Sequence, residues 1–170
     1  MEPVGACCRL DAGNGGKGMR VALYCDGGCR GNQDVNNIGG WGAYLRWGSH
    51  TKELSGAVRD TTNNKMELTA CIEGLRAIKR QVPIDVFVDS AYVYNGITDW
   101  IYGWMSKGWV NSKKEPVANK DLWLKLLDQK HRFVDITFNK VKGHSDNAGN
   151  NRADALANSA MDHLESESRE

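Results

Sequence analysis

The chain has 170 residues, of which 41% are hydrophobic and 25% charged, values that are ordinary for one globular domain. A formal net charge of +1 excludes a globally basic protein, so any contact with nucleic acid must come from a local cluster of cations. No apolar segment is long enough to span a membrane, and the N-terminus lacks the pattern of a signal peptide. The five cysteines, an odd number without zinc-finger spacing, indicate free thiols in a cytoplasmic protein.

The two ends of the chain differ in composition from its middle. Residues 1–19 are rich in glycine and small side chains without periodicity, which is typical of a flexible leader. Residues 165–170 are polar and are expected to form a disordered tail. The remaining residues, 20–164, are predicted to form a single folded domain.

The first half of this domain predicts three strands and a helix. Residues 20–28 are a compact apolar run that ends in a glycine turn. Residues 40–47 alternate between apolar and polar side chains, and residues 51–58 follow after a turn, so these two segments are expected to form a hairpin joined to the first strand. Residues 65–80 have apolar side chains at helical spacing after the potential caps in TTNN.

The second half alternates between strands and helices. In chain order, it predicts a strand at 83–90, a glycine-interrupted helical segment at 94–109, a loop at 113–120, a helix at 121–130, a strand at 134–141 and a helix beginning at Asn150 to Asn151. This order indicates an α/β domain built on a mixed sheet of about five strands with flanking helices.

Four carboxylates stand at positions where such a fold could bring them together. Asp26 and Asp89 each terminate a predicted strand, whereas Glu67 and Asp154 lie at the edge of the buried face of a predicted helix. Taken singly, each has a simple structural role as a turn residue or as an acid near a helix N-terminus. Taken together, converging carboxylates would repel one another unless cations neutralised them. Oxygen ligands suit Mg²⁺, and a pair of such ions can promote phosphodiester cleavage.

His144 lies ten residues before Asp154 in a stretch rich in glycine, asparagine and serine. Such a residue is either a solvated loop histidine or a proton shuttle beside the metal ions, for which its ordinary pKa is well suited. The spacing leaves both interpretations open.

These residues stand in a series of motifs that resembles the type 1 ribonucleases H. The motifs occur in the family's order from about Arg20 to Asp162, and they read YCDGGCRGN, TTNNKMELTA, VDSAYVYNGIT, KGW, VKGH and NNRADALA. The resemblance implies a ribonuclease H-like fold with a basic protrusion, or handle. It also implies cleavage of the RNA strand of an RNA–DNA hybrid, leaving 5′-phosphate and 3′-hydroxyl ends.

The resemblance also implies roles for the residues already singled out. Asp26, Glu67, Asp89 and Asp154 match the catalytic carboxylates, which would hold two Mg²⁺ ions in the presence of substrate, with Mn²⁺ as an alternative. His144 matches a loop histidine that assists proton transfer or product release.

The substrate contacts implied by the resemblance fall into three groups. The residues that match contacts to the minor groove and the RNA 2′-hydroxyls are Cys29, Asn32, Asn63 and Asn64. Those that match a pocket for a phosphate of the DNA strand are Thr62 and Asn119. Those that match an aromatic channel for the DNA sugar–phosphate are Tyr92, Trp100 and Trp104. Asn63 and Asn64 could instead cap the helix. Any of the tryptophans could instead be a core residue, and Trp123 is expected to be one.

Residues 98–120 match the handle, and their lysines give it a local excess of positive charge. A solvated face of a helix and loop is the alternative interpretation of these charges. The chain also departs from the family pattern. Asp60 stands where the phosphate pocket usually has an arginine, with Arg59 displaced by one position, and Ala91 replaces a glutamine that contacts RNA. The leader is too short to be the separate hybrid-binding domain of eukaryotic relatives, and the chain is expected to be a monomer.

Three other functions remain as alternatives. Retroviral ribonuclease H domains, transposases and integrases share a carboxylate-centred fold, but the loop histidine and the handle favour a stand-alone ribonuclease. A hybrid-binding module without activity is disfavoured because all four carboxylates are present. A structural metal-binding protein would leave the asparagines and the handle unexplained.

Overall fold

The structure, a computed structural model, describes residues 19–31, 37–142 and 147–167. Its centre is a five-stranded sheet composed of β1 (Val21–Arg30), β2 (Ile38–Trp47), β3 (His50–Arg59), β4 (Ile84–Val88) and β5 (Ile136–Lys140). The strand order is β3-β2-β1-β4-β5. The first three strands pair antiparallel, and β4 pairs parallel with both β1 and β5. The predicted mixed five-stranded sheet is therefore confirmed.

The helices connect and flank these strands. They are α1 (Asn63–Arg76), α2 (Ala91–Asn95), α3 (Ile101–Ser106), α4 (Lys120–His131) and α5 (Ala148–Glu167), with a π-helical turn at Gly96–Trp100 between α2 and α3. Within the described ranges, none of these helices is both long and apolar enough to cross a membrane.

The two faces of the sheet are covered by different helices, because successive side chains of a strand point to opposite faces. Helix α1 packs on β1 and β2 and also contacts α4. Leu23 and Cys25 of β1 are buried against this helix layer together with Leu68 and Cys71 of α1. Helix α5 lies along β1, β2 and β3 on the opposite face. The carboxyl end of β1 is therefore within reach of a helix from each side.

Several predicted helix boundaries are wrong. The last helix, α5, begins at Ala148 rather than at Asn150 to Asn151, and the Asn147 side chain accepts a hydrogen bond from the Asn150 amide in its first turn. Two helix ends also differ from the prediction. Helix α1 ends at Arg76 rather than Arg80. Arg132 donates hydrogen bonds to the carbonyl oxygen of Leu75 in its last turn (3.2 Å) and to that of Ile78 just beyond it (2.6 Å). Helix α5 continues to Glu167, three residues into the predicted tail. Arg30 of β1 pairs with Glu165 at 2.6 Å, which holds this last turn of the helix on the sheet.

The glycine-interrupted segment predicted at 94–109 is helical from Ala91 to Ser106. Ser90 accepts a hydrogen bond from the Val93 amide and so begins the helix earlier than the apolar spacing suggested. Gly96, where the π-helical turn begins, packs directly against the ring of Trp123, and any side chain at position 96 would overlap that ring. This glycine is therefore a packing requirement, and the helix continues through it.

Candidate active site

The parallel pairing of β1 with β4 places two of the four predicted carboxylates at one edge of the sheet. In this pair Cys25 lies opposite Val88, so Asp26 and Asp89, the next residue of each chain segment, emerge side by side. Asp26 is 7% exposed, and its Oδ1 accepts a hydrogen bond from the Gly27 amide at 2.9 Å. Strand pairing alone therefore brings together two of the four predicted carboxylates.

Glu67 reaches this edge because α1 packs unusually close to the end of β1. A methyl group added to Gly27 would lie 2.5 Å from the carbonyl carbon of Met66 and 2.7 Å from the amide nitrogen of Glu67. Only glycine allows the two backbones to approach this closely. The residue after Asp26 thus lies against the peptide that precedes Glu67, which brings the two carboxyl groups together.

Asp154 reaches the same edge from the opposite face of the sheet. Gly42 of β2 pairs directly with Asp26, and the carbonyl oxygen of Ala153 lies over Gly42, where a side chain would collide with the helix. The next residue of α5 is Asp154, which is exposed, and its carboxyl group is within hydrogen-bonding reach of Asp26. Asp26 is therefore the point at which β1, β4, α1 and α5 meet.

The carboxyl groups of Asp26, Glu67 and Asp89 form a tight group. One oxygen from each lies within 4.8 Å of the others. Burial, followed by repulsion from Asp89 and Asp154, raises the pKa of Asp26 to about 8. Burial, followed by repulsion from Asp26 and Asp89, raises the pKa of Glu67 to about 10. The raised pKa values therefore express the cost of ionising buried groups that also repel one another.

The donor set fits a divalent cation with a preference for oxygen. The three grouped residues supply only carboxylate oxygens, which are the ligands that hard cations such as Mg²⁺ take in proteins. Burial and mutual repulsion raise the pKa values of Asp26 and Glu67, and a bound cation would relieve the repulsion. The arrangement can therefore hold a metal ion.

A groove of about 290 Å³ lies at the N-terminus of α1. It is lined by Cys29, Asn37, Thr61, Thr62, Asn63 and Asn64. Four residues predicted to contact substrate, at positions 29 and 62–64, are thus brought together. Thr62 is the N-cap of α1 and accepts a hydrogen bond from the Lys65 amide at 3.1 Å, so capping falls to this residue. The side chains of Asn63 and Asn64 are exposed on the first turn of the helix.

The pattern of the whole chain matches one protein family. A family model described as RNase H matches residues 18–162, a range that contains all four carboxylates. The chain belongs to the ribonuclease H family. A relative named ribonuclease H from Hydrogenovibrio crunogenus is 54% identical over 146 residues, which cover 86% of this chain and 98% of the relative.

Solved structures of ribonucleases H have the same fold. LC9-RNase H1, described as a type 1 enzyme with the type 2 active-site motif, has a TM-score of 0.77 and 28% identity, and the match covers 85% of this chain and 73% of that one. LC11-RNase H1, solved in complex with an RNA/DNA hybrid, has a TM-score of 0.64 and 26% identity, with 85% and 99% of the two chains covered. The sequence-based assignment to this family and fold is confirmed.

Arg59 and Asp60, which stand at the departure from the family pattern, do not line the groove of this ribonuclease H. Asp60 has a φ of 57°, a left-handed conformation that aspartate tolerates better than most residues, and its amide donates to the Asn37 carbonyl at 3.0 Å. Arg59 contacts the Leu164 carbonyl of α5 at 3.5 Å and is not among the residues that line the groove.

The predicted aromatic residues form part of a larger cluster. Trp100 is 40% exposed and its ring lies 6.1 Å from that of Tyr92, while Trp104 packs edge-on against Trp123 at 5.4 Å. Trp123 is fully buried, as predicted for a core residue. The Tyr92 hydroxyl accepts hydrogen bonds from Trp123 Nε1 and from Asn119, each at 3.1 Å. Asn119 therefore joins the aromatic cluster and does not line the groove that contains Thr62.

Two residues of the site, Asn37 and Trp109, were not predicted from the sequence. Buried Asn37 supports the groove through hydrogen bonds with the Thr61 backbone at 2.8 and 2.9 Å, for which the motifs gave no signal. Trp109 extends the aromatic cluster and lies 5.9 Å below the Lys120 ammonium, and its place in KGW was the available signal. Asn32 and His144 lie outside the described residues.

Proposed function

We propose that this ribonuclease H hydrolyses the RNA strand of RNA–DNA hybrids, with Asp26, Glu67, Asp89 and Asp154 as its catalytic carboxylates. The observation that carries the proposal is the approach of three carboxylate oxygens to within 4.8 Å, with the fourth carboxyl group against Asp26. The products would be 5′-phosphate and 3′-hydroxyl ends. Each carboxylate comes from a different element, so the site depends on the whole fold.

The cofactor that best fits this site is Mg²⁺, as two ions in the presence of substrate, with Mn²⁺ as the alternative. When bound, the ions would supply an activated water and stabilise the leaving oxygen of the phosphodiester. The four carboxylates would hold the ions, and Asp26, which faces each of the other three, is best situated to contact both. The burial of Asp26 and Glu67 limits competition by solvent for these oxygens.

The groove at the N-terminus of α1 is suited to recognition of the hybrid. Asn63 and Asn64 present exposed amides, which can both donate to and accept from the base edges and 2′-hydroxyls of the minor groove. Cys29 lies between these asparagines and Asp26 along the chain and lines the same groove. Thr62 would contribute a phosphate contact through its hydroxyl.

A second contact surface would be supplied by the aromatic cluster and the residues after it. Trp100, partly exposed beside Tyr92 and Trp104, would lie along the DNA sugar–phosphate backbone, with Asn119 held by the Tyr92 hydroxyl. The lysines of the proposed handle are all exposed, namely Lys107, Lys113, Lys114 and Lys120. Cations at the surface attract phosphates, so binding through this surface should depend strongly on salt.

The remaining parts of the proposal concern His144 and the state of the protein. His144 would assist proton transfer or product release beside the carboxylates. The described cysteines, Cys25, Cys29 and Cys71, are free thiols, which supports a reducing, cytoplasmic location. We expect the protein to act as a monomer.

The test is a comparison of substrates. Purified protein with Mg²⁺ is incubated with an end-labelled RNA–DNA hybrid, and in parallel with single-stranded RNA, RNA duplex and DNA duplex of the same sequence. Cleavage confined to the RNA of the hybrid, and abolished by a chelator, supports the proposal. Salt-sensitive binding of the hybrid without cleavage would instead favour the hybrid-binding module.

A further inference from the structure

Helix α5, which carries Asp154, lies on the sheet through a seam of small residues. The carbonyl oxygens of Ala153 and Ala157 lie over Gly42 and Gly40 of β2, and Gly149 precedes them by one turn on the same face. Residues four apart share one side of a helix, so the seam is continuous. A seam of this kind brings the helix close to the sheet, and the side chains of Leu156 and Met161 also pack against Gly42 and Gly40, so only a small rotation of the helix about its own axis is compatible with it.

The flanks of the seam carry the directional contacts. Arg30 holds the C-terminal half of α5 through Asp162 and Glu165, and Arg152 holds the N-terminal half, which carries Asp154. Successive residues of a helix are about 100° apart, so Arg152 and Asp154 project on opposite sides of Ala153. On one flank, Nη2 of Arg152 donates to Oε1 of Glu53 at 2.7 Å, and its Nε donates to Oε2 of the same carboxylate. On the other flank Asp154 faces Asp26.

The strand order shows how a rotation of α5 would affect both flanks of the seam. Glu53 belongs to β3 and Asp26 to β1, and β2, which bears the seam, lies between them. Rotation of α5 about the seam would therefore move Arg152 relative to Glu53 and, at the same time, Asp154 relative to Asp26. A bidentate arginine–carboxylate pair has a defined geometry and resists such rotation.

We propose that the Arg152–Glu53 ion pair positions Asp154, because it sets the rotation of α5 about its seam and so the separation of the Asp154 and Asp26 carboxyl groups. Arg152 is in this view a positioning residue that acts through Asp154. The inference rests on the proposed role of Asp154 in cleavage.

A second ion pair in the same protein provides a matched control. The side chains of Arg152 and Glu53 are 49% and 37% exposed, and those of Arg76 and Glu73 are 50% and 34% exposed. Arg76 and Glu73 pair at 3.0 Å within α1 and join no two elements. Exposed ion pairs contribute little to stability, so a difference between the two pairs would report on positioning.

The experiment is a double-mutant cycle with Arg152→Gln, Glu53→Gln and both together, measured on the RNA–DNA hybrid at saturating metal. Each single variant is expected to lower kcat by about tenfold, since small displacements of a catalytic group are costly. The KM for the hybrid should stay unchanged. The double variant should be no worse than either single one, because both remove the same interaction. Arg76→Gln and Glu73→Gln should match the wild-type protein.

The direction of the two single-variant effects separates positioning from a direct role of charge. If Arg152 bound the hybrid directly, or acted through its charge on the carboxylates, then Arg152→Gln and Glu53→Gln would shift KM or kcat in opposite directions. Opposite effects, or a Glu53→Gln variant with wild-type kcat, would overturn the proposal.

A measurement without metal or substrate separates positioning from general damage. In two-dimensional amide NMR spectra, Arg152→Gln and Glu53→Gln should shift the resonances of residues 149–157, whereas Arg76→Gln should leave them unchanged. Unchanged α5 resonances in Arg152→Gln would contradict the proposed rotation. If the wild-type protein fails to cleave the hybrid, the proposed function is refuted. If the wild-type protein and Arg152→Gln are equally active, only the positioning role of Arg152 is refuted.

Discussion

Gly27 lies against the peptide that joins Met66 to Glu67, so closely that a methyl group at position 27 would be 2.5 Å from the Met66 carbonyl carbon. Gly27 follows Asp26 and the peptide precedes Glu67, so this contact joins two carboxylates of the proposed active site. The neighbouring glycine differs, because a methyl group at Gly28 would meet nothing closer than the Asn63 side chain at 3.9 Å.

These two glycines give a first prediction. Gly27→Ala should push the start of α1 away from β1, lower the rate of hybrid cleavage by about 10²-fold and destabilise the protein by about 1–3 kcal/mol. Gly28→Ala is the matched control and should keep both activity and stability. Cleavage assays and urea unfolding measure the two effects. A Gly27→Ala protein as active as Gly28→Ala would show that close packing at Gly27 does not position Glu67.

The raised pKa values give a second prediction, for the protein without metal. In the unfolded chain Asp26 and Glu67 titrate near pH 4, whereas in the folded protein their pKa values are about 8 and about 10. The folded state thus binds more protons across this range. Their contribution to stability is full below about pH 4 and is lost as the pH rises towards about 10.

Urea unfolding in a chelator should therefore give a lower free energy of unfolding at about pH 8 than at about pH 5. Glu67→Gln should flatten this dependence, since Glu67 has the more strongly raised pKa of the two carboxyl groups. Adding Mg²⁺ at about pH 8 should restore stability, because the metal binds the folded state. If the metal-free protein becomes more stable between about pH 5 and pH 8, and Glu67→Gln behaves in the same way, then the raised pKa values of Asp26 and Glu67 are contradicted.

The exposed lysines give a third prediction, on salt dependence. If Lys113 and Lys114 contact phosphates, replacing both with alanine should weaken hybrid binding and reduce the slope of log affinity against log salt by about 1–2. Lys79→Ala with Arg80→Ala removes two exposed cations near the far end of α1 and serves as the control. Binding is measured in a chelator, so that cleavage does not interfere. Equal slopes for the two double variants would mean that residues 113 and 114 do not contact the hybrid.

His144 gives a fourth prediction. His144→Ala should slow cleavage by about 10²-fold without abolishing it, because a general acid–base group accelerates a reaction that the carboxylates and their metal ions still support. His131, exposed at the end of α4, is a suitable control position for an alanine substitution. Single-turnover rates distinguish the chemical step from product release. Complete loss of cleavage would mean that the histidine is indispensable.

Much of the fold follows from patterns within the sequence, whereas the assembly of the site does not. The alternation in β2 and the spacing of Leu68, Cys71 and Leu75 predict their elements from local chemistry alone, and all three of these side chains are buried as expected. The adjacency of Asp26 and Asp89 requires that β4 pair with β1, and strand order is a property of the whole chain. It became predictable only through the resemblance to a known family.

Contacts between distant residues account for what the sequence analysis missed. The extension of α5 to Glu167 depends on Arg30, whose guanidinium pairs with Asp162 and Glu165, each at 2.6 Å. Continuation of the helix through Gly96 depends on the Trp123 ring. In both cases a tertiary contact overrides a local signal in the sequence. The signal is the polar composition of the tail in the first case and the glycine in the second.

The most direct test of the proposed active site is the isosteric variant Asp89→Asn, assayed with Mg²⁺ on an end-labelled RNA–DNA hybrid. It removes one charge from the carboxylate cluster without changing the size of the side chain, so folding should be preserved and cleavage abolished. Asp85→Asn is the matched control on the same strand, because Asp85 pairs with Arg20 at 3.0 Å and lies outside the cluster. Loss of cleavage in Asp89→Asn alone is the predicted result. Near-wild-type turnover by Asp89→Asn would contradict the proposed metal-dependent mechanism.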